Sequence, residues 1–317
     1  MGDGVVTRLR DLVELVRAPA ALTVPGDTLA GAASAGWPAG ARTAALPVAS
    51  TCLYWAGMAL NDWADRAVDA TERPERPIPS GRVPAGTALG VAAGLTFGGV
   101  AVAGLAAGRS GATVAALLAA AVWAYDLGPK DGAVGVATMA STRALDVALG
   151  ASAGGLAGVR RALLPAALVG AHTAGVTALS RGEVHGGSAS TARAVAIGTA
   201  AVATASAVLG PVRAALATRA TAGAAPSRGA ARLRPVGSVA LSTAMAAWYA
   251  RDVLRAQLAA VRSPDAATVR RATGRGIRGF VPLQGSLVAG RGRPAAAVAL
   301  AASVPLGRLA MRRVSAT

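Results

Sequence analysis

Negative charge is what this chain has least of. Only 15 Asp and Glu occur among 317 residues, against 32 Lys and Arg, leaving a formal net charge of +17. Two histidines, His172 and His185, and one cysteine, Cys52, exclude a His/Cys transition-metal cluster and an intrachain disulfide. Aromatic residues make up 3% and charged residues 15%, far below the roughly one quarter charged residues of a soluble domain. The bulk comes instead from Ala, Val, Leu and 40 Gly. Small residues let transmembrane helices approach closely, although a codon bias would give the same composition. The Arg excess lies between apolar runs, which suits anionic lipid headgroups and argues against nucleic acid.

What the sequence does have is apolar length. A span needs about 20 mostly apolar residues. Nine are expected: Pro19–Gly36, Ala44–Trp63, Val83–Ala107, Gly111–Tyr125, Gly132–Leu156, Leu163–Leu179, Ala192–Leu209, Val236–Leu254 and Ile277–Val314. The last is interrupted at Gly290–Pro294 and counts as one span or two; earlier in it, Pro282 and Gln284 suggest a broken helix near a cavity. Residues 1–17 read as a cytoplasmic lead-in without the pattern of a cleaved signal, and 211–235 as a flexible loop. With the N-terminus inside, the polar segments at 65–82, 125–131, 180–191 and 251–278 are cytoplasmic, as the positive-inside rule favours. The expected fold is a single all-α integral membrane domain over 1–317, multi-pass in the cell membrane.

Three of the scarce carboxylates, Asp62, Asp65 and Asp69, stand at the mouth of the second span, at the start of NDWADRAVDATERPERPIPSGRV, which begins at Asn61. On a continuous helix Asn61, Asp62, Asp65 and Asp69 fall within an arc of roughly 100°. Carboxylates at that position are expensive unless something binds them. Hard oxygens in such a cluster suit Mg²⁺, which takes one or two carboxylates together with substrate phosphates. A row of acid–base pairs on a solvated helix is the plainer alternative.

The sequence Asn-Asp-x-x-Asp-x-x-x-Asp, followed by two Arg-Pro pairs and Pro-Ser-Gly-Arg, resembles the first signature of the UbiA superfamily of intramembrane prenyltransferases. The resemblance extends over the chain in span number, loop placement and length. It implies about nine helices in a bundle around a central cavity. It also implies Mg²⁺ at Asp62, Asp65 and Asp69, holding an isoprenoid diphosphate whose prenyl group passes to an aromatic or lipid-type acceptor. Asn61, Arg66, Arg73 and Arg76 are then substrate contacts, and Trp63, Trp123 and Tyr125 are aromatic walls for an allylic cation.

Tyr125-Asp126-Leu127-Gly128-Pro129-Lys130 is similar to a shortened form of a second family region. There the resemblance implies Lys130 as a phosphate contact and Tyr125 as an aromatic wall or hydrogen-bond donor to substrate, or both simply anchor the span end as interfacial residues do. Arg143 and Asp146, inside the fifth span, form either a structural ion pair or a part of the site. After the sixth span the family carries several Asp residues, where this chain has Ser180-Arg181-Gly182-Glu183-Val184-His185-Gly186-Gly187. That stretch resembles the divergent EboC-like branch and its actinobacterial relatives. It implies Glu183 as the remaining catalytic carboxylate and Arg181 as a substrate contact, with His185 a solvated loop residue or a base. The single Glu183 leaves a second reading open: a non-catalytic relative that binds or helps transport an isoprenoid intermediate.

Overall fold

The computed structural model describes residues 8–18, 21, 24–220 and 230–302, with side chains described outside 209–236. Among these residues the elements are all helical: α1 (Leu9–Leu15), α2 (Pro25–Ser34), α3 (Ala45–Ala64), α4 (Arg66–Glu72), α5 (Ala85–Leu127), α6 (Gly132–Ala151), α7 (Gly155–Ser180), α8 (Ala189–Ala220), α9 (Ala230–Arg262) and α10 (Ala266–Ala289). Among the described residues, four helical stretches are long and apolar enough to cross a membrane: Gly40–Ala64, Ala85–Leu127, Gly132–Ser180 and Ala189–Val208.

Two of those stretches are hairpins. α5 reverses at Gly108, with φ 64° and ψ −151°. Across the fold-back Trp123 Nε1 donates to Thr96 Oγ1 at 3.1 Å. The α6–α7 stretch reverses at Gly155, with φ 60° and ψ −155°. Both glycines adopt a backbone region essentially closed to residues with a Cβ, so each turn is made by one residue and no loop. Small residues then let the arms touch. A Cβ on Gly99 would lie 3.0 Å from the Ala49 carbonyl of α3, and one on Gly57 would lie 2.8 Å from Val122 of α5.

These turns define two ends of the bundle. One end holds the glycine reversals. The other gathers the C-terminus of α3, α4, the α5–α6 and α7–α8 connections and the α9–α10 turn, where the Gly187 N–H donates to the Pro264 carbonyl at 2.8 Å. Asp265 caps α10 there, accepting from the Thr268 N–H at 2.9 Å and the Thr268 hydroxyl at 2.7 Å. Those bonds hold its carboxyl at a pKa of about 2.

The structure differs from expectation in several places. The fifth and sixth spans divide at Gly155, because the glycine conformation and not the run of apolar residues sets the turn. Nine crossings are not reached among the described residues. α2 has 10 residues, about 15 Å of helix and half a bilayer core; positions 19, 20, 22 and 23 of that expected span lie outside the described residues. The expected loop at 211–235 is helical at 211–220 and 230–235, and 221–229 lie outside the described residues. The basic stretch at 251–278 is not one amphipathic helix but the end of α9 and the start of α10, joined by three residues. α10 also runs unbroken through Pro282, while the break at 290–293 is real, with Gly292 at φ 74°. Positions 303–314 of the last expected span lie outside the described residues.

Candidate diphosphate site

The acidic motif does not form one continuous helix. α3 ends at Ala64, Asp65 takes φ −85° and ψ 3°, and α4 begins at Arg66. This bend sends the carboxylates two ways. Asp62 and Asp69, both almost sealed from solvent, turn towards Arg76 in the proline-rich segment that follows. Arg76 Nη1 lies 3.2 Å from Asp62 Oδ1 and donates to Asp69 Oδ2. Arg17 Nη2 donates to Asp62 Oδ1 at 2.8 Å, and Arg73 Nη1 stands 3.6 Å from Asp69. Asp65 turns the other way and accepts from Lys130 Nζ at 2.6 and 2.8 Å.

Asn61 joins these halves to α5. Its amide nitrogen donates to Asp65 Oδ2 and to Asp126 Oδ1, each at 3.2 Å. Asp126 is buried, with its carboxylate close to Gly57 of α3. The sequence reading had not singled out Asp126 or Arg17. An acid at the C-terminus of an apolar span was the available signal for the first; a basic residue in the lead-in gave none for the second.

Other expected residues sit elsewhere. Arg66 donates to the Trp63 carbonyl at 2.7 Å and stacks on that ring at 4.6 Å, away from the acids. Trp123 is engaged with Thr96, and Tyr125 is half-buried next to Asp126. Arg181 donates to the carbonyls of Lys130 and Gly132, pinning the α5–α6 connection to the second acidic segment. Glu183 is half-buried; its own carbonyl accepts from Arg270 at 2.7 Å. His185 is exposed. An open cavity of ≈ 470 Å³ lies there, lined by Arg181, Gly182, Gly187, Ser188 and Thr191 among others.

Arg143 and Asp146 belong to a separate, deeper group. Asp27 of α2 is fully buried; it accepts from Gln284 Nε2 of α10 at 2.7 Å, and its Oδ2 lies 2.8 Å from Arg143 Nε. Asp27 too escaped the sequence reading, although a carboxylate inside an expected span was signal enough.

A helical strap closes the near side. Arg82 donates to Asp11 at 2.9 Å and to Glu14 at 2.6 and 2.9 Å, tying α1 to the segment that carries Arg76. The Arg82 hydrogen bond holds the Glu14 carboxyl below its usual range, and Glu14 in turn holds the guanidinium proton more firmly. Between them lies an open groove of ≈ 690 Å³.

Among the described residues, no three Asp, Glu, His or Cys side chains converge as a metal-binding group. Asp62 and Asp69 share a guanidinium, whereas Asp65 and Asp126 bring carboxylate oxygens to the same Asn61 amide nitrogen, and two carboxylates completed by substrate phosphates are a donor set that fits Mg²⁺.

Residues 21–264 match the model of the UbiA prenyltransferase family. The chain is 44% identical over 77 residues to digeranylgeranylglyceryl phosphate synthase of Natronomonas pharaonis, covering 24% of this chain and 28% of that protein. It is 44% identical over 71 residues to the bacteriochlorophyll synthase 33 kDa chain of Rhodobacter capsulatus, covering 22% and 23%. It is 37% identical over 118 residues to digeranylgeranylglyceryl phosphate synthase of Ignicoccus hospitalis, covering 37% and 38%. These matches span well under half of each relative's length. A solved structure of digeranylgeranylglyceryl phosphate synthase in membranes superposes with a TM-score of 0.61 at 14% identity, over 89% of this chain and 98% of that one. The apo structure of a UbiA homologue from Aeropyrum pernix K1 superposes with a TM-score of 0.51 at 17% identity, over 82% and 96%.

Proposed function

Because the chain belongs to the UbiA prenyltransferase family, we propose that it transfers a prenyl group from an isoprenoid diphosphate to an acceptor within the membrane, with Mg²⁺ at its first acidic motif. The observation that carries this reading is Asn61, whose amide holds Asp65 and Asp126 together beside a ring of Arg17, Arg76 and Lys130. Asp65 and Asp126 would hold the metal together with substrate phosphate oxygens. When bound, Mg²⁺ supplies positive charge that stabilises the departing diphosphate. Arg17, Arg73, Arg76 and Lys130 exchange carboxylate partners for phosphate oxygens, a geometry that the forked guanidinium suits. Charge is thereby concentrated on the leaving group in a water-poor setting, where it acts most strongly. The relatives are named for products of unlike chemistry, so the acceptor does not carry over from them.

The test is binding and turnover of geranylgeranyl diphosphate by the protein in lipid nanodiscs, with and without Mg²⁺. Binding is expected to require the metal, and Asp65→Asn or Asp126→Asn to weaken it by about 100-fold. Metal-independent binding, or full binding by both variants, refutes the assignment.

One observation favours a second reading, a binding protein without turnover. Glu183 is the one carboxylate of the second acidic segment, and Arg181 beside it is occupied with backbone carbonyls. Mg²⁺-dependent binding without diphosphate release towards any acceptor supports that reading. Loss of release in Glu183→Gln with binding kept supports catalysis.

A further inference from the structure

Lys130 is the only lysine in the chain, one of 32 Lys and Arg side chains. Its ammonium is a compact point charge on a flexible four-carbon stem, without the fixed fork of a guanidinium. Where that charge stands depends on the backbone that carries it. It stands on Asp65, donating to both carboxylate oxygens at 2.6 and 2.8 Å. The Lys130 side chain is 27% exposed and that of Asp65 36%, and a pair this open contributes little hold of its own.

The backbone at Lys130 lies outside the helices. α5 ends at Leu127 and α6 begins at Gly132, whose φ is 68°. The Lys130 carbonyl therefore needs a partner from elsewhere. Among the described residues that partner is Arg181, whose Nη2 donates to it at 3.3 Å and to the Gly132 carbonyl as well. Gly135, in the first turn of α6, leaves the same carbonyl its space. A Cβ there would lie 1.8 Å from the oxygen.

Arg181 is itself held at a fixed point. It is the residue that follows α7, and the loop it opens is drawn tight. The Gly186 N–H donates to the Gly182 carbonyl at 3.1 Å, and the Gly187 N–H to the Pro264 carbonyl at 2.8 Å. A Cβ on Gly182 would lie 2.8 Å from the Gly187 Cα. Among the described residues no carboxylate pairs with Arg181, and its donors are directed to the two carbonyls.

From this geometry we infer that Arg181 is a positioning residue for Lys130. By holding the Lys130 and Gly132 carbonyls it sets the ammonium against Asp65, where it can pass to a phosphate oxygen. The segment after α7 thus acts on the first motif through the backbone of the α5–α6 connection. The phosphate rests on the prenyl-transfer reading; the coupling of Arg181 to Lys130 does not.

The sole lysine makes the coupling measurable. The protein in lipid nanodiscs is acylated with acetic anhydride at fixed pH, and the Lys130 peptide is followed by mass spectrometry. A carboxylate partner slows acylation, because it favours the unreactive ammonium form. Asp65→Asn should therefore raise the rate, and Arg181→Gln should raise it several-fold towards that ceiling. Loss of the Arg181 charge alone acts the other way, since removing a nearby cation also favours the ammonium. In the Asp65→Asn background Arg181→Gln should add no acceleration. Gly135→Ala, which displaces the same carbonyl, should act like Arg181→Gln; if it fails to fold, Arg181→Gln decides alone. An unchanged or slower rate in Arg181→Gln, or an acceleration that persists undiminished in Asp65→Asn, overturns the inference.

Binding of geranylgeranyl diphosphate with Mg²⁺, measured by calorimetry, reads the site itself. Arg181→Gln and Lys130→Gln should each weaken it, and the double variant should bind no worse than Lys130→Gln. Full binding by Arg181→Gln, or a double variant weakened by the product of both effects, overturns the inference; the second outcome makes Arg181 a phosphate contact. Acylation that responds to Arg181 while the wild type never binds the diphosphate sustains the coupling and defeats the prenyl-transfer reading instead.

Discussion

Asp62 and Asp69 are each nearly closed off from solvent, and Arg76 touches both. Removing one partner of a buried ion pair leaves an uncompensated charge, which costs about 3–5 kcal/mol. Arg76→Met is therefore expected to lower the thermal midpoint in detergent sharply, and Arg76→Lys to recover part of the loss. A drop no larger than that of an exposed variant such as Glu72→Gln would count against Arg76 as the keystone. Glu14 gives a pH dependence. Its folded pKa lies below the usual 4.5, so its bond to Arg82 stabilises the docked α1 above that value and is lost as pH falls through the lower one. Proteolysis at Arg8 and Arg10 should accelerate over that acid window in the wild type, and already at neutral pH in Arg82→Ala. At this scale the first motif was legible because carboxylates at a span end demand partners. The identity of those partners was not, since Asp65 meets Lys130 and Asp62 meets Arg17 across gaps in sequence that no local pattern encodes.

The helical elements are legible where apolar length alone decides them, as in α3. They were misread where one backbone conformation decides. Nothing in the run of small residues around Gly155 separates it from Gly150 or Gly158, yet only Gly155 adopts positive φ. Gly108→Ala and Gly155→Ala should each destabilise the protein by about 1–3 kcal/mol, whereas Gly86→Ala, in open helical space, should be neutral or slightly stabilising. Comparable melting of all three would refute the loop-free turns. The polar stretch at 251–278, whose charge suits an amphipathic helix on anionic lipid, is helical on both sides of a three-residue turn. Arg275 of α10 bonds across to Asp252 of α9, and Arg270 reaches the Glu183 carbonyl.

For the whole molecule, the family and the all-helical bundle stood in the sequence, while the crossing count did not. The two-ended arrangement yields a direct test of orientation. In a Cys52→Ser background, Val184→Cys at the polar end and Arg109→Cys beside the Gly108 reversal should label from opposite faces of sealed vesicles. Labelling of both from the same face would sink the proposed topology. The loop-free reversals have a further result. With no slack at Gly108, the descending arm acts as a ruler: eighteen residues, five helical turns or about 27 Å, set where Asp126 arrives opposite Asn61. One residue inserted between 109 and 125 would turn that carboxylate by about 100° off its partner. The polar-end connections can absorb insertions freely, but the span lengths beneath them cannot drift, because the site is measured from the far side of the membrane.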